Sequence, residues 1–248
     1  MKVVAIIQAR MGSSRLPGKV LRKVLNKPLL EYQIERVKRA KCINEIIIAT
    51  TINETDQKIV DFCELLSLTY YRGSEEDVLS RYYEAASICQ ADIVVRITAD
   101  CPLIDPDIID QIINDFIKNQ SHIDYVSNTV QRSFPIGMDV EVMTFPLIES
   151  INRLDLPQSY REHVTPYIYQ SGKYKIRQVL QETNKSHIRL TVDTPQDLNL
   201  ISKILEEIYP DNPFFSLQDI YNLLDKNPKL LLINNHIKQK KIEDINDK

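Results

Sequence analysis

The chain has no basic excess. Its 31 lysines and arginines stand against 34 aspartates and glutamates, a formal charge of −3 at pH 7. That balance excludes an overall electrostatic fit to nucleic acid, which needs a basic face. Metal-type cysteine spacing is also missing: Cys42, Cys63, Cys89 and Cys101 are scattered, with no CxxC and no Cys/His pairing. Cys63 and Cys89 fall on apolar helical stripes and read as core packing. No apolar run approaches the roughly 20 residues of a membrane span, and the one beginning at Val3 is too short for a secretory signal. We therefore expect a protein of the reducing cytosol with no membrane or nucleic-acid partner. There is no Walker spacing and no GxGxxG, so the usual kinase, ATPase and dehydrogenase readings lose support. Internal repeats, low-complexity stretches and a Gly/Ser/Pro linker are absent too.

What is present is concentrated at the start. Val3-Val4-Ala5-Ile6-Ile7 reads as a short buried strand running into Gln8-Ala9-Arg10-Met11-Gly12-Ser13-Ser14-Arg15-Leu16-Pro17-Gly18-Lys19. Arg10, Arg15 and Lys19 supply three cations within ten positions, beside Gly12, Gly18, Ser13 and Ser14. Backbone N–H groups and hydroxyls can wrap phosphate oxygens while the cations offset their charge. A triphosphate is the ligand such a loop suits; a solvated turn is the plainer alternative.

Strands and helices alternate through the first half. Continuous apolar or β-branched runs at 3–7, 46–50, 68–71 and 93–97 predict parallel strands covered on both faces. Between them lie helical stripes: Leu30, Ile34 and Val37; Ile59, Phe62, Cys63 and Leu66; Val78, Tyr82, Ala85 and Cys89; then Ile109, Ile112, Ile113 and Phe116. Ser74-Glu75-Glu76-Asp77 resembles a capping box. This rhythm predicts an α/β fold with a doubly wound, mostly parallel Rossmann-like sheet. After residue 124 the spacing changes. Strands are expected at 124–127, 139–143, 175–180 and 188–192, as a mixed antiparallel extension, with helices over 147–154 and 160–168. Thr194-Pro195-Gln196-Asp197 and Ser216-Leu217-Gln218-Asp219 each start a capped helix. We expect one domain over 1–235: a nucleotide-binding half at 1–123, an extension at 124–192 and closing helices at 193–235. A polar tail follows at 236–248.

Two aspartates end predicted strands. Asp100 follows Arg96-Ile97-Thr98-Ala99, and Asp193 follows Arg189-Leu190-Thr191-Val192. In open α/β sheets ligands gather at the carboxyl ends of the strands. Carboxylates there would repel a triphosphate unless a cation intervened, and Mg²⁺ is the hard, oxygen-seeking choice. Each aspartate has a plainer role: Asp100 as a turn cap, Asp193 as a charge on a helix dipole. His122, His187 and His236 have no metal-like neighbours, and the tyrosines spread through apolar stripes as core residues.

Taken together these segments resemble the CMP-KDO synthetase and acylneuraminate cytidylyltransferase family, nearest its branch called spore coat polysaccharide biosynthesis protein F. The resemblance rests on residues 8–19, on the strand-end aspartates, and on Arg72-Gly73-Ser74-Glu75-Glu76-Asp77, Gly137-Met138-Asp139-Val140-Glu141 and Arg161-Glu162-His163. It spans about residues 2–235. It implies that Gln8, Ala9, Arg10, Gly12, Ser13, Arg15 and Lys19 bind the nucleotide, with Arg10, Ser13, Arg15 and Lys19 holding its triphosphate, and that Arg72, Gly73 and Asp77 lie near cytosine and ribose. Asp100 and Asp193 would hold Mg²⁺, forming the catalytic set with Arg10 and Lys19. Gly137, Asp139, Glu141 and His163 would line the acceptor side, and the extension would support a homodimer. Asn26 stands where the family has a turn glycine, and Ala99 where this branch has one. The Gly-Asp-Glu-Pro of the KDO enzyme is Ala99-Asp100-Cys101-Pro102 here.

The implied activity is CMP transfer from CTP to an acidic sugar, with pyrophosphate released, for polysaccharide or glycan assembly. Two alternatives remain open from sequence: a sugar-phosphate nucleotidyltransferase using another nucleoside triphosphate, and a nucleotide-binding assembly subunit without turnover.

Overall fold

The structure is a computed structural model, described over residues 1–239. Strand β1 (Val3–Gln8) leads through the loop at 9–18 and a 3₁₀ turn at Lys19–Leu21 to a small hairpin of β2 (Lys23–Val24) and β3 (Lys27–Pro28). Leu25 and Asn26 turn this hairpin with φ of 49° and 64°. Asn accepts that left-handed backbone, so the turn survives without the family's glycine. Then come α1 (Leu29–Val37), β4 (Glu45–Thr51), α2 (Gln57–Leu65), β5 (Thr69–Gly73), α3 (Val78–Ile88), β6 (Ile93–Thr98) and α4 (Pro106–Asn119). The second half adds β7 (Tyr125–Ser127), β8 (Glu141–Thr144), α5 (Phe145–Asn152), α6 (Gln158–His163), α7 (Pro166–Gln170), β9 (Ile176–Gln178), α8 (Pro195–Ile208) and α9 (Leu217–Lys226).

One seven-stranded sheet runs in the order β5-β4-β1-β6-β8-β7-β9. The strands from β5 to β6 are parallel; β8 pairs antiparallel with both β6 and β7, and β9 returns parallel to β7. This is the expected α/β architecture with its mixed extension. Strand β1 shows why both faces are apolar. Val3, Ala5 and Ile7 pack with α1, α2, α4, α8 and α9, whereas Val4 and Ile6 pack with α3, α5 and α7.

Three local expectations need correction. Residues 188–192 form no strand, only an isolated parallel bridge between Ile136 and Arg189. Their backbone is divided between two partners: Leu190 N–H donates to Ile136 O, and Val192 N–H to Asp100 O. The helix expected over 160–168 is broken in two at Val164, with φ of 71°, and Pro166, which has no N–H to give, opens the second helix at its first position. Ser74 begins no capping box; Asp77 itself caps α3, its Oδ1 accepting from Ser80 N at 2.9 Å. Of the polar tail at 236–248, residues 240–248 lie outside the described ones. Thr194 and Ser216, in contrast, form complete capping boxes with Asp197 and Asp219.

Candidate active site

A cleft of about 850 Å³ opens at the carboxyl ends of β1 and β6. The loop after β1 forms one wall and is pinned from below. Leu16 and Val20 are buried in the core, Gly18 N–H donates to Met11 O at 3.0 Å, and Asp56 Oδ1 accepts from Met11 N at 2.6 Å. Gly18 takes φ of 67°, which lets the chain turn back under Met11. Gln8, Ala9, Arg10 and Gly12 line the cleft, as do Ser13, Arg15 and Lys19.

Two aspartates close the other side. Thr98 Oγ1 donates to Asp100 Oδ1 at 2.6 Å and fixes that carboxylate. Val192 N–H and Thr191 Oγ1 both donate to Asp100 O, at 2.8 and 3.0 Å, so the two chain segments are tied side by side. The Lys19 ammonium then bridges the carboxylates, 2.7 Å from Asp193 Oδ1 and 3.2 Å from Asp100 Oδ2. Arg15 and Arg189 reach Asp193 Oδ2 at 3.1 and 2.9 Å. Burial alone would raise the Asp193 carboxyl; Lys19, with Arg15 and Arg189, outweighs it and holds that group below its ordinary value. Burial likewise disfavours the Lys19 charge, but Asp100 and Asp193 outweigh it and raise the ammonium.

The far side carries a second pair of ion pairs. Arg96 binds Glu141, which also accepts from Tyr125 OH at 2.6 Å; Arg132 Nη2 donates to Asp139 Oδ2 at 2.8 Å. His163 lines this region with a buried Nε2 that has no partner, and burial lowers its imidazole.

Other residues named from sequence lie elsewhere. Arg72 gives its donors to Thr51 O, Asn53 O and Gln57 Oε1, away from the cleft. Gly73 packs under Arg81, and Asp77 caps α3 while pairing with Arg161. Gly137, with φ of 102°, abuts the Leu190 backbone, where a Cβ would sit 2.6 Å from Leu190 C. Its role here is to admit that crossing chain.

Among the described residues no group of three or more His, Cys, Asp and Glu is placed to hold a metal. Two carboxylates do fit a hard ion that keeps waters and shares substrate phosphate oxygens. Both are already engaged with one cation, Lys19.

A sequence model of the family described as cytidylyltransferase matches residues 4–242. The chain belongs to the cytidylyltransferase family. It is 34% identical over 234 residues to the spore coat polysaccharide biosynthesis protein SpsF of Bacillus subtilis, covering 91% of this chain and 95% of that one. The solved structure of a cytidylyltransferase from Leptospira borgpetersenii matches with a TM-score of 0.89 at 33% identity, over 97% of this chain and 100% of that one. A CMP-2-keto-3-deoxy-manno-octonic acid synthetase complexed with CTP matches with a TM-score of 0.63 over 84% and 99% of the two chains. At 19% identity that last likeness bears on the fold alone.

This cytidylyltransferase-family cleft also contains residues that motif reading did not assign. Arg81, Arg96 and Arg132 all line it. Arg81 had a signal: a charged residue on the same helical face as Val78, Tyr82 and Ala85, where a core side chain is expected. Arg96 had a comparable one, being charged within a strand read as buried on both faces.

Proposed function

We propose that this chain transfers CMP from CTP to an acidic sugar, releasing pyrophosphate, in polysaccharide or glycan biosynthesis. One observation carries the reading: the Lys19 ammonium joins Asp100 and Asp193 at the edge of a cationic, hydroxyl-bearing loop. Membership in the cytidylyltransferase family supports CTP as donor.

Nucleotidyl transfer is mostly positioning and charge neutralisation. Arg10, Arg15 and Lys19, with the N–H and hydroxyl groups of Gly12 and Ser13, hold the β- and γ-phosphates and stabilise the departing pyrophosphate. Asp100 and Asp193 are the residues that would hold Mg²⁺. When bound, that ion offsets charge at the α-phosphate and makes the acceptor hydroxyl more acidic. With a triphosphate in the cleft, Lys19 would turn its contacts from the carboxylates to phosphate oxygens. The acceptor hydroxyl oxygen attacks the α-phosphate in line; its bond to phosphorus forms as the bond to the departing pyrophosphate breaks, and its proton passes to solvent.

The far side of the cleft supports an acid as acceptor. Glu141 and Asp139 are each neutralised by an arginine, and Arg96 Nε is buried without a partner. A carboxylate entering there meets neither of those charges unpaired. We assign the donor side to residues 1–123, the acceptor side and a homodimer contact to 124–192, and the closing helices to 193–235. The expected compartment is the cytoplasm; no helix among the described residues is long and apolar enough to cross a membrane.

Thermal shift with each of the four nucleoside triphosphates and Mg²⁺, followed by pyrophosphate release with a panel of keto-sugar acids, tests the reading. CTP preference and acid-dependent release are expected. A preference for UTP, GTP or ATP supports the sugar-phosphate alternative instead. CTP binding without release for any acid or other acceptor leaves the non-catalytic one.

A further inference from the structure

The polar stretch after residue 235 reads as a tail, yet its start returns to the cleft. A 3₁₀ segment at Pro228–Ile233 packs on α8 and α9, with Leu230, Leu231 and Ile233 half-buried against the core. Asn234 follows and is buried, with 2% of its surface exposed. Ile237 N–H donates to Asn234 O at 3.0 Å, so the chain turns there. Gln239 then lines the same cleft as Lys19, Asp100 and Asp193.

Both amide side chains end on one residue. Asn234 Nδ2 donates to Arg189 O at 3.0 Å and to Asp197 Oδ1 at 2.9 Å, which uses both of its hydrogens. Gln239 Oε1 accepts from Arg189 Nη1. Chemistry fixes which amide atom makes that contact, because a guanidinium only donates. Arg189 is buried, and its other nitrogens serve the start of α8: Nη2 donates to Asp193 and Asp197, and Nε to Asp197. Among the described residues Gln239 is the only acceptor that Nη1 meets. Without it, that end of the guanidinium lacks an acceptor, which favours rotation away from the two carboxylates.

We propose that residues 234–239 form an arm that completes the site. Asn234 fixes the backbone of Arg189 and Gln239 fixes its guanidinium, and together they keep the Asp193 carboxylate turned toward Lys19. Both are positioning residues. The hold on Arg189 is a property of the fold; its effect on rate rests on the CMP-transfer reading. Exposure distinguishes the two residues. Asn234 is buried and serves packing as well, whereas Gln239 is exposed, so its hydrogen bond to Arg189 is its main contribution.

The test compares the full-length parent with three variants. Gln239→Met keeps the length and loses the acceptor, Gln239→Glu keeps the acceptor, and Asn234→Ala removes the other contact. NMR follows hydrogen exchange at Arg189 Nε. Pyrophosphate release is measured with CTP, Mg²⁺ and the keto-sugar acid that gives the fastest turnover. Exchange should quicken about tenfold in Gln239→Met and Asn234→Ala. In both, kcat should fall about tenfold or more, with KM for CTP within about twofold of the parent. Gln239→Glu should bring exchange and most of kcat back toward parent values. Gln239→Met, an exposed substitution, should melt like the parent, so its lost rate would not come from unfolding. A raised KM with unchanged kcat would make Gln239 a nucleotide contact, and a lowered kcat with unchanged exchange an acceptor contact; either overturns the inference. Faster exchange without loss of kcat would confine the arm to the fold and overturn it too. A parent that releases no pyrophosphate with any acid removes the transfer reading instead. The arm's hold on Arg189 then stands if exchange quickens in both variants and falls if it does not.

Discussion

Lys19 Nζ lies 2.7 Å from Asp193 Oδ1, across 174 positions of sequence. The lysine comes from the loop after the first strand, the aspartate from the start of α8. Among the described residues Asp193 has three cationic partners, Lys19, Arg15 and Arg189, whereas Asp100 has only Lys19 among its ion pairs. Asp100→Asn and Asp193→Asn should each slow pyrophosphate release by at least about 10²-fold while CTP still binds. The stability costs should differ. Asp193→Asn leaves three cations facing a neutral group and should lower the melting temperature more than Asp100→Asn does. Equal melting temperatures would show that the cluster is not what holds these segments together.

Gly137 gives a sharper structural test than its motif suggests. Its φ of 102° and the 2.6 Å approach of Leu190 C to a built Cβ make Gly137→Ala doubly unfavourable. We expect a loss of about 2–4 kcal/mol by chemical denaturation. Gly172→Ala is the control: φ is 68°, but nothing lies within 4 Å of its Cβ, so only about 1 kcal/mol of backbone strain applies.

The sheet was legible because its strands are buried on both faces, so apolar runs such as Val3–Ile7 stand out without alternation. The loop at 9–19 was legible because cations, glycines and serines rarely crowd together after such a run. Other features depend on contacts that no local pattern encodes. Residues 188–192 look like a strand, yet their partners are Ile136 and Asp100, on separate segments. Arg81 completes an apolar stripe, and only the packed structure shows that no carboxylate meets it. Arg72 sits in the more specific motif, but backbone carbonyls at 51 and 53 take its donors first.

His163 should titrate below its ordinary value of 6.5, because burial disfavours the imidazolium more than Glu162 favours it. The unfolded chain then binds the proton more readily. The stabilising contribution is complete above about pH 6.5 and is lost as pH falls through the folded value. NMR titration of the ring should give a midpoint under 6.5, and His163→Gln should flatten the melting-temperature slope in that window. A midpoint at or above 6.5 would mean that the ring is solvated or paired with a carboxylate.

Arg189 is a positioning residue, buried between Asp193 and Asp197. Its Nη2 donates to Asp193 Oδ2 at 2.9 Å and to Asp197 Oδ2 at 3.0 Å, while Nε donates to Asp197 Oδ1 at 2.8 Å. Asp197 is itself fixed as the third residue of the α8 capping box, accepting from Asp193 N and Thr194 N. The helix start therefore aims Asp193 into the cleft through one guanidinium. A lysine can place a charge there but cannot span both carboxylates. Arg189→Lys should cost about 1–3 kcal/mol of stability and lower kcat more than it raises KM for CTP, since Asp193 would lose its orientation rather than its charge. Equal changes in both constants would instead assign Arg189 to nucleotide binding, and unchanged kinetics in a destabilised variant would confine it to the fold.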